Sequence, residues 1–165
     1  VQSNGASGLL KRRPWKHRQA QVDRRGVQRV DSVLEIDAEG LIADVYSMKP
    51  DGTDLRRITD FSSMSWAPYV HPSGEYLFFA SNKLGFENFE VFIVDKDGAK
   101  EPVRITHTPG FDGLPMPSPD GRQLAFTSSR GGGPGNPGQI YLAQWNHEAA
   151  MAALKAAPPR VTNSK

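Results

Sequence analysis

The chain of 165 residues contains no cysteine. That absence excludes disulfides, thiolate metal sites and cysteine nucleophiles together, and it suits an exported and a cytoplasmic protein equally. Long apolar runs are missing as well: no stretch reaches the roughly 18 residues that a membrane-spanning helix requires. The first thirty residues hold no signal-peptide core, because "GLL" is followed at once by "KRRPWKHR". Net charge is small, with 20 Lys and Arg against 18 Asp and Glu. The histidines, His17, His71, His107 and His147, include no pair at the short spacing of a metal motif. Serines in "SSMS" and "TSSR" lack a Gly-x-Ser-x-Gly elbow. The glycine run at 131–138 has no Lys-Ser/Thr or helix start behind it with which to cradle phosphate. No catalytic set, metal site or cofactor is therefore expected.

The charge that is present sits unevenly. Residues 11–29 carry Lys11, Arg12, Arg13, Lys16, Arg18, Arg24, Arg25 and Arg29 against Asp23 alone. Such a run can displace counterions from a phosphate backbone. A solvated basic arm accounts for it more simply, and nucleic acid is disfavoured as a partner. Apolar residues make up 38% of the chain, enough for one domain with a core.

Beyond residue 40 the sequence repeats. "HPSGEYLFFASN" (71–82) and "SPDGRQLAFTSSR" (118–130) place Pro72 and Pro119, Gly74 and Gly121, Phe79 and Phe126, and Ser81 and Ser128 47 residues apart. "DVYSMKPDGTDLRRIT" (44–59) matches "EVFIVDKDGAKEPVRIT" (90–106), and "QIYLAQW" (139–145) opens a third copy. A fixed period of this size is stronger evidence than any local propensity. Each unit reads as short apolar strands separated by Asp-Gly or Ser-Gly corners, where a positive φ is cheap and the preceding side chain bonds its own backbone. No strand-helix alternation runs through the repeat, so parallel α/β units are disfavoured.

The prediction is an all-β fold, an incomplete β-propeller of four-stranded antiparallel blades. Residues 41–60 supply a half blade, 67–106 a blade, and 113–162 a further blade. "NHEAAMAALKAA" interrupts the last: Asn146 as cap, Glu148 in the first turn, and Met151 with Leu154 on one side predict a helix over 147–157. That helix is expected to be inserted before a final strand at 160–162, where "RVT" echoes "RIT" at 57–59 and 104–106. Residues 1–40 break the period and read as a basic, poorly ordered arm or a degraded blade, with at most a strand near 32–36.

These fragments resemble the TolB-type (WD40-like) β-propeller family, whose blade signature runs from a proline through Ser-Pro-Asp-Gly and a hydrophobic strand to Ser-Asn-Arg, then an Ile-Tyr-x-Met strand and Asp-Gly. The likeness covers roughly 42–144. "GFDGLP" and "LAQWNHEAA" are similar, more narrowly, to the propeller region ahead of zinc-dependent aminopeptidase domains in some secreted bacterial proteins. His71-Pro72-Ser73-Gly74 departs from the Ser-Pro-Asp-Gly pattern, and Pro117 stands where an apolar residue is usual. The resemblance implies a non-catalytic protein- or peptide-binding propeller module in a periplasmic or secreted setting. The alternative it implies is the accessory propeller of a secreted metallopeptidase or other hydrolase whose catalytic domain lies outside this chain.

A propeller needs about four to eight blades to close. With fewer, the wedge is expected to expose apolar side chains such as Phe78, Phe79, Phe92 and Phe126 and to require self-association or blades from a longer parent chain. Binding residues are expected on the loops joining one blade's last strand to the next blade's first, "DFSSMSWAPY" (60–69) and "HTPGFDGLP" (107–115), which line a common mouth. Trp66, Tyr69, Phe111 and Asp112 would meet a peptide there, with His71 and His107 approaching the same end; Trp66 packing between blades is the competing reading. The loop "NKLGFENFE" (82–90) adds Phe86 and Phe89. Asp51, Asp97 and Asp120 belong to turn chemistry.

Overall fold

The computed structural model describes residues 15–16, 21–22, 29–37, 40–132 and 138–161, with side chains from Ile42 onward. Three antiparallel sheets follow one another along these residues. The first contains β1 (Trp15–Lys16), β2 (Gln21–Val22), β3 (Arg29–Asp37), β4 (Gly40–Met48) and β5 (Arg56–Arg57), in the order β1-β3-β4-β5 with β2 also on β3. The second is β6 (Ser65–Val70), β7 (Tyr76–Ser81), β8 (Glu90–Asp95) and β9 (Val103–Arg104), in that order. The third is β10 (Asp112–Pro117), β11 (Gln123–Ser128) and β12 (Gln139–Gln144). Helix α1 (His147–Ala156) follows. β3 and β4 pair without slip from Arg29 opposite Met48 to Asp37 opposite Gly40, so Gly40, where the arm was expected to end, opens β4. Most of the basic run lies outside the described residues.

The middle sheet is covered on both faces. Every residue of β7, "YLFFAS", is buried, the pattern of a strand with packed layers on either side. Leu77, Phe79, Phe92 and Val94 pack against Val45 and Ile58 of the first sheet. Tyr76, Phe78, Val91 and Ile93 pack on the opposite face against Leu124 and Phe126 of the third. The expectation that Phe78, Phe79, Phe92 and Phe126 would be exposed is overturned: they are 0%, 0%, 3% and 6% exposed. A wedge loses burial on its terminal sheets, and these four rings belong to the interior junctions. The uncovered face lies on the third sheet, where β11 alternates buried and half-buried positions.

The period is visible in the backbone. In the turn after β6, His71 N–H donates to Tyr76 O at 2.9 Å and Gly74 N–H to His71 O at 2.8 Å; after β10, Ser118 N–H donates to Gln123 O and Gly121 N–H to Ser118 O, both at 2.8 Å. Gly74 (φ 73°) and Gly121 (φ 71°) take the left-handed conformation that closes each corner. The first strand of both sheets carries a bulge, with the register shifting between Trp66 and Tyr69 and between Gly113 and Met116. Ala67 (φ 51°) and Leu114 (φ 54°), 47 positions apart, hold the left-handed bulge residue, a geometry that re-aims the flanking side chains.

A buried acid, an arginine and a threonine fasten the fourth strand in the first two sheets. Thr59 Oγ1 donates to Asp44 Oδ1 at 2.8 Å and accepts from Val45 N–H at 2.9 Å. Thr106 Oγ1 donates to Glu90 Oε2 at 2.6 Å and accepts from Val91 N–H at 2.8 Å. Arg57 and Arg104 pair with the same acids and donate to the threonine carbonyls at 2.9 and 2.7 Å. Burial nevertheless pushes the Asp44 carboxyl above its ordinary pKa, against the hydrogen bonds from Arg57 and Thr59 that lower it.

The third sheet has Gln139 where the others have Asp44 and Glu90, and its carboxy-terminal arrangement differs accordingly. Asn146 caps α1 by accepting from Ala149 N–H at 2.9 Å, and Ala150 and Leu154 sink into the cluster between the second and third sheets. Residues 158–160 do not return beside β12. Glu101 N–H donates to Pro158 O and Arg160 N–H to Ala99 O, both at 2.9 Å, so the segment lies along the turn between β8 and β9. Arg160 then reaches the carbonyls of Ile58 and Arg57. The final strand expected at 160–162 is thus absent from the third sheet among the described residues; Thr162 lies outside them.

Candidate functional site

Antiparallel order decides which candidates can meet. Ser65 at the start of β6 pairs with Ser81 at the end of β7, and Val70 pairs with Leu77. The connections 58–64, 82–89 and 105–111 therefore gather at one end of the sheets, and the corners 71–75, 96–102 and 118–122 at the other.

Trp66, Phe89 and Phe111 assemble at the first end. The Trp66 ring stands edge-on to Phe89 with centroids 6.1 Å apart and tilts toward Phe111 at 6.4 Å, while Phe89 and Phe111 are 5.7 Å apart. All three are half-buried, and the cluster packs across two sheets. Main-chain bonds fix it: Phe89 N–H donates to Gly110 O at 2.9 Å, Asp112 N–H to Phe89 O at 2.8 Å, and Ser129 N–H to Phe111 O at 2.8 Å. Phe86 and Leu84, on the neighbouring connection, are 82% and 50% exposed. His107 is exposed at this end too.

Asp112 is buried and committed. Arg130 Nη2 donates to its Oδ2 at 2.7 Å, and the same guanidinium lies 4.9 Å from the Phe126 ring centroid. Trp66 Nε1 and Asp112 Oδ1 are buried without a hydrogen-bond partner among the described residues, a donor and an acceptor that are costly to leave unmet. Tyr69 lies after the bulge, half-buried and opposite Phe78.

His71 belongs to the other end, so it and His107 do not converge. It is 4% exposed, stacked 4.5 Å from Tyr76 and 4.9 Å from His147. Its Nδ1 is 2.9 Å from Ser73 Oγ and its Nε2 3.4 Å from Gly121 O. Trp145 Nε1 donates to the Tyr76 hydroxyl at 2.6 Å, and His147 Nδ1 is 3.2 Å from that oxygen. Burial holds the His71 imidazole below its ordinary pKa and pushes the Tyr76 phenol up to about 12. This stack anchors α1; it is a packed structural element and not part of the mouth.

Trp66 and Phe111, expected at one mouth, lie at one end of the sheets with His107, while Phe89, given no place at that mouth by the sequence, joins them there. The sequence reading missed the Arg130 partner of Asp112 and the His71–Tyr76–His147 stack. The recurring acid, arginine and threonine were legible as a shared "RIT" after an Asp or Glu that opens an apolar strand, although only the repeat itself was read from it.

No family model matches the chain. Over 52 residues, 32% of this chain and 11% of the other, it is 46% identical to the Tol-Pal system protein TolB of Bordetella pertussis. Over 87 residues, 53% of this chain and 29% of the other, it is 31% identical to an uncharacterized protein of Agrobacterium fabrum. A solved TolB structure from Agrobacterium tumefaciens superposes with a TM-score of 0.60 at 25% identity, over 74% of this chain and 43% of that one. The chain thus spans under half the length of each relative. It is homologous to TolB proteins, and its sheets resemble part of the TolB propeller region.

Proposed function

We propose that the chain is a protein- or peptide-binding module of the TolB kind that takes its ligand at the end carrying Trp66, Phe89 and Phe111. The half-buried aromatic cluster shared by two sheets supports this most directly. Large rigid rings, held by main-chain bonds from both sides, offer contact area at little entropic cost, which is how aromatic anchors dominate binding interfaces. Phe86, Leu84 and His107 form the rim in this reading. In this reading the carboxylate of Asp112 is held by Arg130, and His71 stays outside the site. A periplasmic or secreted setting, implied by the resemblance, belongs to the same proposal.

Selection of phage-displayed peptides on the immobilised chain tests it. Selected peptides are expected to lose affinity about tenfold or more, close to 1.4 kcal/mol, with Phe86→Ser or Leu84→Ser. Both side chains are exposed, so the fold should be untouched. Peptides that bind the two variants and the parent equally, or that are lost only on substitution of Lys96 at the opposite end, would move the ligand away from this mouth.

A further inference from the structure

The junction between the second and third sheets departs from the repeat at two neighbouring positions. Ser65 and Trp66 in β6 hold the places of Asp112 and Gly113 in β10, 47 residues on. Directly paired residues share a face of their sheet. Trp66 pairs with Ala80, two residues from Phe78, which packs toward the third sheet; Asp112 pairs with Ser128, two residues from Phe126, which packs toward the second. The indole and the carboxylate therefore enter one junction from opposite sides, at the end where the Trp66 and Phe111 rings lie 6.4 Å apart.

The fold uses only part of their hydrogen-bonding capacity. Arg130 donates to Asp112 Oδ2, whereas Asp112 Oδ1 and Trp66 Nε1 are buried with no partner among the described residues, and Asp112 is 1% exposed. A donor and an acceptor left unmet in the same junction both cost stability. The equivalent residues carry no such cost. Ser65 Oγ bonds Ser81 Oγ at 3.2 Å, and Gly113 has no side chain, since a Cβ there would lie 2.7 Å from Phe111 Cζ. Natural proteins break such local rules chiefly at functional sites.

We propose that the mouth selects a primary carboxamide: an Asn or Gln side chain of the bound peptide inserts between the Trp66 and Phe111 rings, its carbonyl oxygen accepting from Trp66 Nε1–H and its N–H donating to Asp112 Oδ1. A primary carboxamide carries an acceptor and a donor side by side in one plane. A carboxylate would set acceptor against acceptor at Asp112, an ammonium would leave the indole N–H unmet, and an apolar side chain would satisfy neither. Both protein atoms are buried, so the ligand reaches them by parting Trp66 from Phe111, and a flat group does so with the smallest displacement. Arg130 and the bond from Asp112 N–H to Phe89 O at 2.8 Å hold the acceptor in place meanwhile. The inference rests on the mouth reading above and adds the group that the mouth recognises.

Phage-displayed peptides selected on the chain and on an isosteric variant, Asp112→Asn, test it. In the variant the Asn carbonyl keeps the Arg130 bond and its amide N–H takes the place of Oδ1, so residues 66 and 112 both donate and the matching ligand group becomes a carboxylate. The unsubstituted chain should enrich Asn or Gln at one peptide position, and Gln→Glu or Asn→Asp there should weaken binding about tenfold or more; the variant should reverse that preference. The Trp66 indole N–H resonance, assigned by its loss in Trp66→Phe, should move downfield with the Gln or Asn peptide and not with its acidic counterpart. These last two readouts need only the unsubstituted fold, so they decide the matter even if Asp112→Asn does not fold. Peptides that depend on Phe86 and Leu84 yet tolerate Glu, Asp or Leu at every Gln and Asn position would overturn the inference and leave the mouth reading standing. A preference unchanged in a folded Asp112→Asn variant would overturn it too. Peptides indifferent to Phe86 and Leu84 would remove the mouth reading itself, and this inference with it.

Discussion

Thr106→Val changes one hydroxyl for a methyl at a buried point just past β9. The hydroxyl accepts from Val91 N–H at 2.8 Å and donates to Glu90 Oε2 at 2.6 Å, and Glu90 is 0% exposed. The replacement nearly preserves volume, so cavity formation contributes little. Two polar terms remain: a buried backbone N–H left without its acceptor costs about 1–3 kcal/mol, and a lost hydrogen bond to a charged group about 1.5–3 kcal/mol. Arg104 stays on the carboxylate and offsets part of the second. A net loss of about 2–4 kcal/mol is expected, a large fraction of the 5–15 kcal/mol typical of a domain. Urea unfolding followed by tryptophan fluorescence measures it, with Thr106→Ser as the control that keeps the hydroxyl. Thr59→Val should cost a similar amount, because Thr59 makes the same two bonds to Val45 and Asp44. A loss under about 0.5 kcal/mol at both sites, the range of ordinary surface substitutions, would refute the idea that the trio fastens the fourth strand.

Phe79→Ala should destabilise by about 3–5 kcal/mol, since the ring is fully buried between sheets, whereas Phe86→Ala at 82% exposure should stay within about 0.5 kcal/mol; parallel urea titrations compare them. Gly121→Ala forces a side chain into a φ of +71° with its Cβ 2.8 Å from His71 Nε2, and should cost more than the roughly 1–2 kcal/mol of the backbone strain alone, read as a lower thermal midpoint. His71 is held below its reference value of 6.5, mainly by burial. Its neutral form is the one the fold favours, so that part of the stability is complete above pH 6.5 and is lost as pH falls through the lower folded value. A two-dimensional NMR titration should show His71 titrating below 6.5, and a value at or above it would contradict the buried stack. Trp145→Phe removes the hydrogen bond that partly offsets burial of the Tyr76 phenol, so ultraviolet titration should find that phenol ionising at still higher pH.

Much of this architecture could be read from spacing, because a repeated turn imposes a repeated strand. The corners at Gly74 and Gly121, the strands beginning at Tyr76, Glu90, Gln123 and Gln139, and the helix capped by Asn146 all follow from side chains acting on their own backbone. Long-range choices were less legible. Burial of Phe79 and Phe126 depends on which sheet stands next to which, and a strand's own sequence does not record its neighbour. The carboxy-terminal "RVT" looked like a fourth strand because it matches the earlier copies, yet Gln139 has replaced the acid that would hold its arginine, and Arg160 bonds to Ile58 O instead. At the candidate site, Trp66 and Phe111 were recoverable from their equivalent loops. Phe89 joins them only because the antiparallel order returns its connection to the same end. His71 was misplaced for the converse reason: it sits one strand length from Trp66, and every strand crossed reverses the end.

The account depends on three sheets standing side by side with the second enclosed by the other two. Aromatic-to-methyl nuclear Overhauser contacts test this most directly. The arrangement predicts contacts from Phe79 to Val45 and Ile58 across one junction, and from Phe126 to Val91 or Ile93 across the other. Finding both rings in contact only with residues of their own sheets would contradict it.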